Sequence, residues 1–231
     1  MKELVATESS YLADLLVLST VFLSSLFSQG IINAQEVKKI FANVEQLISL
    51  SKRLSRVLSE ESRKDSAEQD FGSIFSSAAE ELLDVYVIYC SNLSHSRHVV
   101  NYLQHSRPQF AQYLQQASSQ PSARGESIKS FLIMPLQRLC KYPLLLKELI
   151  KYSPNPASLG SLKSASGTVQ HVLNDVNEKM VFSETLGPLM KLEDMFSEVS
   201  NSLESQKGGW EVLIDHGIAP HRSGEATSHH H

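Results

Sequence analysis

The side chains able to attack a substrate, hold a metal or move a proton are few in this sequence, and their spacing limits each of them. Ser49 and Lys52 form a Ser-x-x-Lys pair, the pattern of a nucleophile with a lysine base. They sit inside a heptad-like apolar repeat with no partner motif, so they read as helix surface. His95, His98, His105 and His171 are scattered. No His-Glu-x-x-His, Cys-x-x-Cys or glycine-rich phosphate loop occurs. Cys90 and Cys140 fall on predicted helices and read as free thiols rather than a disulfide. Cys140 stands beside Lys141, whose charge could lower a thiol pKa. A packed cysteine on a leucine-rich helix is the preferred reading. His229, His230 and His231 read as the remnant of an expression tag, not as a metal site. Covalent catalysis is left without a candidate.

What remains is recognition. In the stretch 130–151, SFLIMPLQRLCKYPLLLKELIK, the residues Ile133, Met134, Gln137, Lys141, Leu144 and Glu148 fall on one side of a helix turning about 100° per residue. That stripe mixes apolar and polar groups, as a binding surface does, where a merely solvated face would be richer in charge. The other side carries Leu132, Leu136, Leu139, Leu146, Leu149 and Ile150 at helical spacing, a wide face for burial. Pro135 and Pro143 lie inside this helix, and each removes a backbone donor, so packing on several sides must hold it.

The elements that position the stripe are all helical by pattern. Glycines number 10 and prolines 8 in 231 residues, and Val/Ile/Thr runs are few. A first helix runs from about 2 to 27, with Leu4, Tyr11, Leu15, Leu18, Phe22 and Leu26 toward the core, and Gly30 after its end. A second spans about 34–61, followed by an exposed loop at 62–69. A third covers 71–93, a further one 95–116, and a loop with Pro121 precedes the central helix, which starts near 122–126. Pro154 and Pro156 break the chain. The last helix runs from about 157 to at least 182 on Leu162, Val169, Val172, Leu173, Val176 and Met180, beside an amide-rich stripe of Gln170, Asn174 and Asn177. Gly187-Pro188 interrupts it, and 189–203 reads as a continuation after a kink or a short separate helix. The only strand-like stretch is 207–219.

Composition excludes other classes. A net charge of -4 argues against general nucleic-acid binding. The apolar run at 15–27 is broken by Ser19, Thr20, Ser24 and Ser25 and reads as too short and too polar for a membrane span. No cleavable signal peptide is expected at Met1. No internal repeat supports a spectrin-like tether.

The string P-L-Q-R-L-C-K-Y-P-L-L-L-K-E-L at 135–149 closely resembles the third signature region of the Dbl-homology (DH) domain, the family of guanine-nucleotide exchange factors for Rho-family GTPases. E-L-V-A-T-E-S-S-Y-L-A-D-L at 3–15 resembles its first signature. E-V-K-K-I-F-A-N-V-E-Q-L, G-S-I-F, Y-V-I-Y-C-S-N and V-L-N-D-V-N-E-K-M follow in the family's order, so the resemblance covers about 2–181. It implies an elongated all-α bundle of about six main helices and a non-helical C-terminal tail, with a DH domain at 1–205. Residues 206–231 would be a linker or the truncated start of a following domain, such as a pleckstrin-homology (PH) domain, plus the tag remnant.

The implied activity is acceleration of nucleotide release from a Rho-family small GTPase, without covalent chemistry and without a cofactor of its own. The nucleotide and Mg²⁺ belong to the partner. The resemblance implies that Glu8 engages the first switch segment, that Lys141 and Asn177 engage the second, and that Gln137, Leu144 and Asn174 share the surface. Arg138, about 100° from Gln137, is expected to hold helices together. Met134 departs from a Lys found in many relatives, and Ile133 leans toward a Rac-like partner. The chain is expected to be monomeric and cytoplasmic, with membrane contact only through a neighbouring domain. Replacing Lys141 or Glu8 by Ala is expected to remove exchange and spare the fold. The alternative is a helical module that binds a GTPase or acts as a scaffold without exchange.

Overall fold

The amphipathic stripes above are met by helices in a computed structural model that describes residues 2–153, 156 and 158–185. The first is α1, Lys2–Val17, which runs on through a π-helical segment, Leu18–Ser24, into α2, Ser25–Ser28. The expected helix is therefore continuous but locally widened. The Ser25 hydroxyl donates to the Thr20 carbonyl five residues back (3.0 Å). By length and composition alone Lys2–Ser28 is apolar enough to cross a membrane, so the sequence reading understated it. Its apolar stripe is spent inside the protein instead: Leu4, Leu15, Leu18, Phe22 and Leu26 are fully buried, and α1 packs on α4 and α7. Burying each such side chain contributes about 1.5–3 kcal/mol. At Gly30 the chain takes a positive φ of 67° and leaves α2.

The predicted second helix is two. α3, Ala34–Phe41, begins at an Asn33–Glu36 capping box, and α4, Val44–Glu61, follows after Ala42 turns the chain at φ 47°. Nothing in the composition of 34–61 marks this break. The predicted third and fourth helices are one, α5, Phe71–Ser106, whose 36 residues span about 54 Å. The polar run around Asn92–Ser96 read as a boundary, yet it has a tertiary use. Asn92 donates to the Lys39 carbonyl (2.9 Å) and Ser96 to the Ile40 carbonyl (2.6 Å), satisfying acceptors at the end of α3. The true break is Arg107, extended before Pro108 at the start of α6, Pro108–Ser118. Arg107 bonds both oxygens of Glu36 and the Ile31 carbonyl.

A 3-10 turn, Pro121–Ala123, leads to α7, Ile128–Tyr152, which starts a few residues later than expected because Ser127 caps it. Both prolines lie within α7. Beside the carbonyl of Phe131, which Pro135 deprives of its helical donor, Tyr89 of α5 donates to the Leu132 carbonyl (3.0 Å). The last described helix, α8, covers 158–185. Leu162, Ala165, Val169, Val172 and Val176 bury its inner face. A Cβ on Gly72 would fall 2.3 Å from the backbone of Ser161, so glycine lets α5 and α8 meet there. Residues Met1–Glu184 form one compact unit. The expectations for 187–203, the strand-like 207–219 and the tag remnant lie outside the described residues.

Candidate GTPase-binding surface

α1 and α7 run antiparallel: Glu3 and Leu4 share a cavity wall with Leu145 and Leu149 at one end, and Asp14 faces Met134 at the other. Between them lie two layers of polar groups, one sealed and one open.

The sealed layer centres on Glu8, which has no exposed surface, and Arg138, 4% exposed. Arg138 donates from Nε (2.9 Å) and Nη2 (2.7 Å) to Glu8 Oε2. Tyr142 donates to the same oxygen (2.8 Å), and Ser51 of α4 to Oε1 (2.6 Å). Arg138 also reaches the Thr7 hydroxyl (2.9 Å) and lies over the Tyr142 ring at 4.7 Å. Tyr86 of α5 donates to Tyr11 (3.1 Å), extending the cluster. Burial, reinforced by the Glu8 charge, pushes the Tyr142 hydroxyl well above its usual range, so it stays a donor. For Arg138 burial is outweighed by Tyr142 and Glu8, and the guanidinium is held charged. Three helices, α1, α4 and α7, meet through one carboxylate, and the Tyr86–Tyr11 bond ties in α5.

This corrects the role expected for Glu8. Its oxygens receive four hydrogen bonds from within the bundle, and no surface is left for a switch segment. The helix spacing carried the signal: Glu8 lies four residues after Leu4 and three before Tyr11, inside the apolar stripe. The exposed carboxylate near this edge of α1 is Glu3, which the sequence reading passed over; Thr7, one turn on, donates to its carbonyl (2.7 Å). Arg138 holds helices together, as expected.

The open layer is a groove of about 250 Å³ lined by Thr7, Ser10, Asp14, Met134, Gln137 and Lys141. Gln137 and Lys141 are exposed and Met134 half-buried, and Lys141 has no ion-pair partner among the described residues. Leu144, one turn beyond Lys141, is 64% exposed, an unusual state for a large apolar side chain. Ile133 does not join this groove. It lines a second cleft with Arg97, His98, Leu136, Met180 and Glu184. Asn174 and Asn177 are exposed on α8, and Asn174 accepts from Gln170 (3.1 Å). Neither asparagine lines the α1–α7 groove.

The residues that could have done covalent chemistry are placed elsewhere. Ser49 donates to the Glu45 carbonyl one turn back (2.9 Å). Both cysteines are free; Cys90 is buried and Cys140 exposed, so the packed reading fails for Cys140. Desolvation raises the Cys140 thiol above its ordinary value and, with the neighbouring Cys140, pushes Cys90 up to about 12, so Lys141 does not activate Cys140. Among the described residues no group of three His, Cys, Asp or Glu side chains comes together.

A family model for the RhoGEF domain matches residues 1–177. The chain belongs to the RhoGEF domain family. Human Rho guanine nucleotide exchange factor 12 is 31% identical over 201 residues, 84% of this chain and 13% of that protein. The Myosin-M heavy chain of Dictyostelium discoideum is 28% identical over 200 residues, 86% of this chain and 11% of that protein. The chain thus spans a small part of the curated relatives it matches. Among solved structures, the DH/PH domains of p115-RhoGEF share the fold with a TM-score of 0.79 at 23% identity, over 84% of this chain and 57% of that one. Human RhoA in complex with the DH/PH fragment of PDZRHOGEF gives 0.76 at 26% identity, over 82% and 55%. The all-α DH fold expected from the signatures is the fold found.

Proposed function

We propose that this RhoGEF domain accelerates nucleotide release from a Rho-family small GTPase by holding its nucleotide-free form on the open face of α1 and α7. The observation that carries the reading is the pairing of the family match with an exposed, unpaired Lys141 in a polar groove one turn from the sealed Glu8–Arg138 pair. No covalent step is involved. By linkage, whatever factor favours the nucleotide-free partner weakens nucleotide binding equally, commonly about 5–150-fold for coupled sites.

Lys141 supplies a charge-assisted donor to the partner's second switch segment. Gln137 and Leu144 flank it, and Met134 sits at the groove's far end. The acidic contact for the first switch is assigned to Glu3 in place of Glu8, because Glu3 is the exposed carboxylate near that edge. Asn174 and Asn177 are assigned to the partner surface on α8. RhoA is the first partner to test, since the solved relatives crystallised with a GTPase name it. The lean toward a Rac-like partner drawn from Ile133 finds no support.

The test is release of a fluorescent guanine nucleotide from RhoA and other Rho-family members under excess unlabelled nucleotide. Acceleration lost in Lys141→Ala is the expected result. Tight binding to nucleotide-free RhoA without acceleration would replace this reading with a scaffold.

A further inference from the structure

The groove between α1 and α7 has a cation near each end. On α7 its lining runs from Lys141 back to Met134, seven residues or about 10 Å along the helix. At the Met134 end Asp14 of α1 accepts from Arg124 Nη2 (2.5 Å). That bond ties the turn between α6 and α7 to α1. Arg124 itself is left-handed, with φ 53° and ψ 28°. Glycine takes this region at no steric cost, and a residue with a side chain rarely takes it. A turn that needed only this backbone shape would gain from glycine, so what Arg124 contributes lies in its side chain. The side chain is 54% exposed, and the bond to Asp14 uses one of its five donors. Nε and Nη1 have no hydrogen-bond partner among the described residues. Asp14 is 18% exposed, so the carboxylate side of the pair is largely covered while the guanidinium side is open. An arginine held this way has lost part of its rotamer freedom before any partner arrives.

We infer that Arg124 is a second cationic contact for the GTPase partner, taking a carboxylate on its surface, and that Asp14 is the positioning residue that holds the guanidinium ready. This role rests on the exchange reading above and adds a feature of the partner. The partner presents an acidic group at the Met134 end of the groove, while Lys141 serves the other end. The planar guanidinium can take a carboxylate in two parallel bonds, which a lysine cannot reproduce. A GTPase with Lys or Arg at that place meets a like charge, so the contact also discriminates among partners.

The experiment titrates the chain against RhoA, or the Rho-family member that responds in the test above, loaded with a fluorescent guanine nucleotide. The release rate is read against the concentration of the chain. Arg124→Gly keeps the turn, because glycine takes this φ freely, so its melting temperature should match that of the unaltered chain. Its half-saturating concentration should rise about tenfold with the maximal rate nearly unchanged, and the gap should close as salt rises from about 0.05 to 0.5 M. Arg124→Lys should recover only part of the loss. Asp14→Ala should raise half-saturation about threefold, and should add nothing in the Arg124→Gly background, because it acts through the guanidinium. A folded Arg124→Gly chain with unaltered half-saturation, or an Asp14→Ala loss that persists in that background, would overturn the inference and leave the exchange reading standing. An unaltered chain that accelerates release from no Rho-family member would overturn the exchange reading, and this role with it.

Discussion

Arg138 and Lys141 stand one turn apart on α7 and carry the same charge into different surroundings. Arg138 is 4% exposed and gives its donors to Glu8, Thr7 and the Leu4 carbonyl. Lys141 is exposed and gives its donors to nothing among the described residues. The first is a partner already satisfied, the second a partner withheld. A buried pair is costly to break because the charge left behind stays desolvated. An exposed lysine costs little to remove from the fold, and what it contributes appears only when a partner removes water from it.

The sharpest way to break this contrast is Glu8→Ala. It strands Arg138 among Tyr11, Tyr142 and Leu4, and the expected cost is about 3–5 kcal/mol. In a domain of this size that lowers the melting temperature by about 10 °C or more. Activity then fails with the fold, contrary to the expectation that Glu8 acts by contact. A variant that melts with the unaltered protein would show that the pair is not what joins α1, α4 and α7.

Lys141→Ala should do the reverse. Helicity and melting temperature should stay within about 0.5 kcal/mol of the unaltered chain, while nucleotide release from the responsive GTPase slows roughly 30-fold, the loss of one charge-assisted contact. A collapse in stability would place Lys141 with the core.

The Glu36–Arg107 pair lies between these extremes, at 16% and 36% side-chain exposure. Its two hydrogen bonds from Arg107, together with the Asn33 backbone N–H, hold the Glu36 carboxyl below its ordinary value. A depressed folded pKa gives stability that is complete above the unfolded value of about 4.3 and is lost as pH falls through the folded one. Glu36→Gln should therefore cost about 1 kcal/mol at neutral pH. The gap between variant and unaltered chain should narrow as pH falls below about 4.3, read by urea unfolding at each pH. A gap that is constant with pH would mean the carboxylate charge is not what matters.

The smallest effect belongs to the exposed pair Arg53–Glu81, at 45% and 44% exposure. Arg53→Ala should move stability by less than about 0.5 kcal/mol, measured by the same unfolding curves. The four variants then rank with burial rather than with charge.

Much of the molecule is legible in the apolar spacing of its sequence. The stripe of α1, the prolines and leucines of α7, and the inner face of α8 are written in apolar spacing, because a helix repeats every 3.6 residues wherever it lies. The exposed stripe on α7 was legible for the same reason, and Gln137, Lys141 and Leu144 are exposed on it. Other features were not local. The break at Ala42 and the continuity of α5 through Asn92 and Ser96 depend on hydrogen bonds between α3 and α5, which no window of sequence contains. Ile133 and Met134 are adjacent in sequence yet line different clefts, because one faces α5 and α8 and the other α1.

The sequence by itself determined that the chain is helical, which face of each helix is apolar, and that its signatures belong to exchange factors. Helical spacing already put Glu8 on the apolar stripe of α1, but only the tertiary structure decided which partners close over it. Charge and residue type are the same for Glu3 and Glu8. What differs is the neighbour that arrives from 130 residues away, and a guanidinium within hydrogen-bond distance turns a potential contact residue into part of the core.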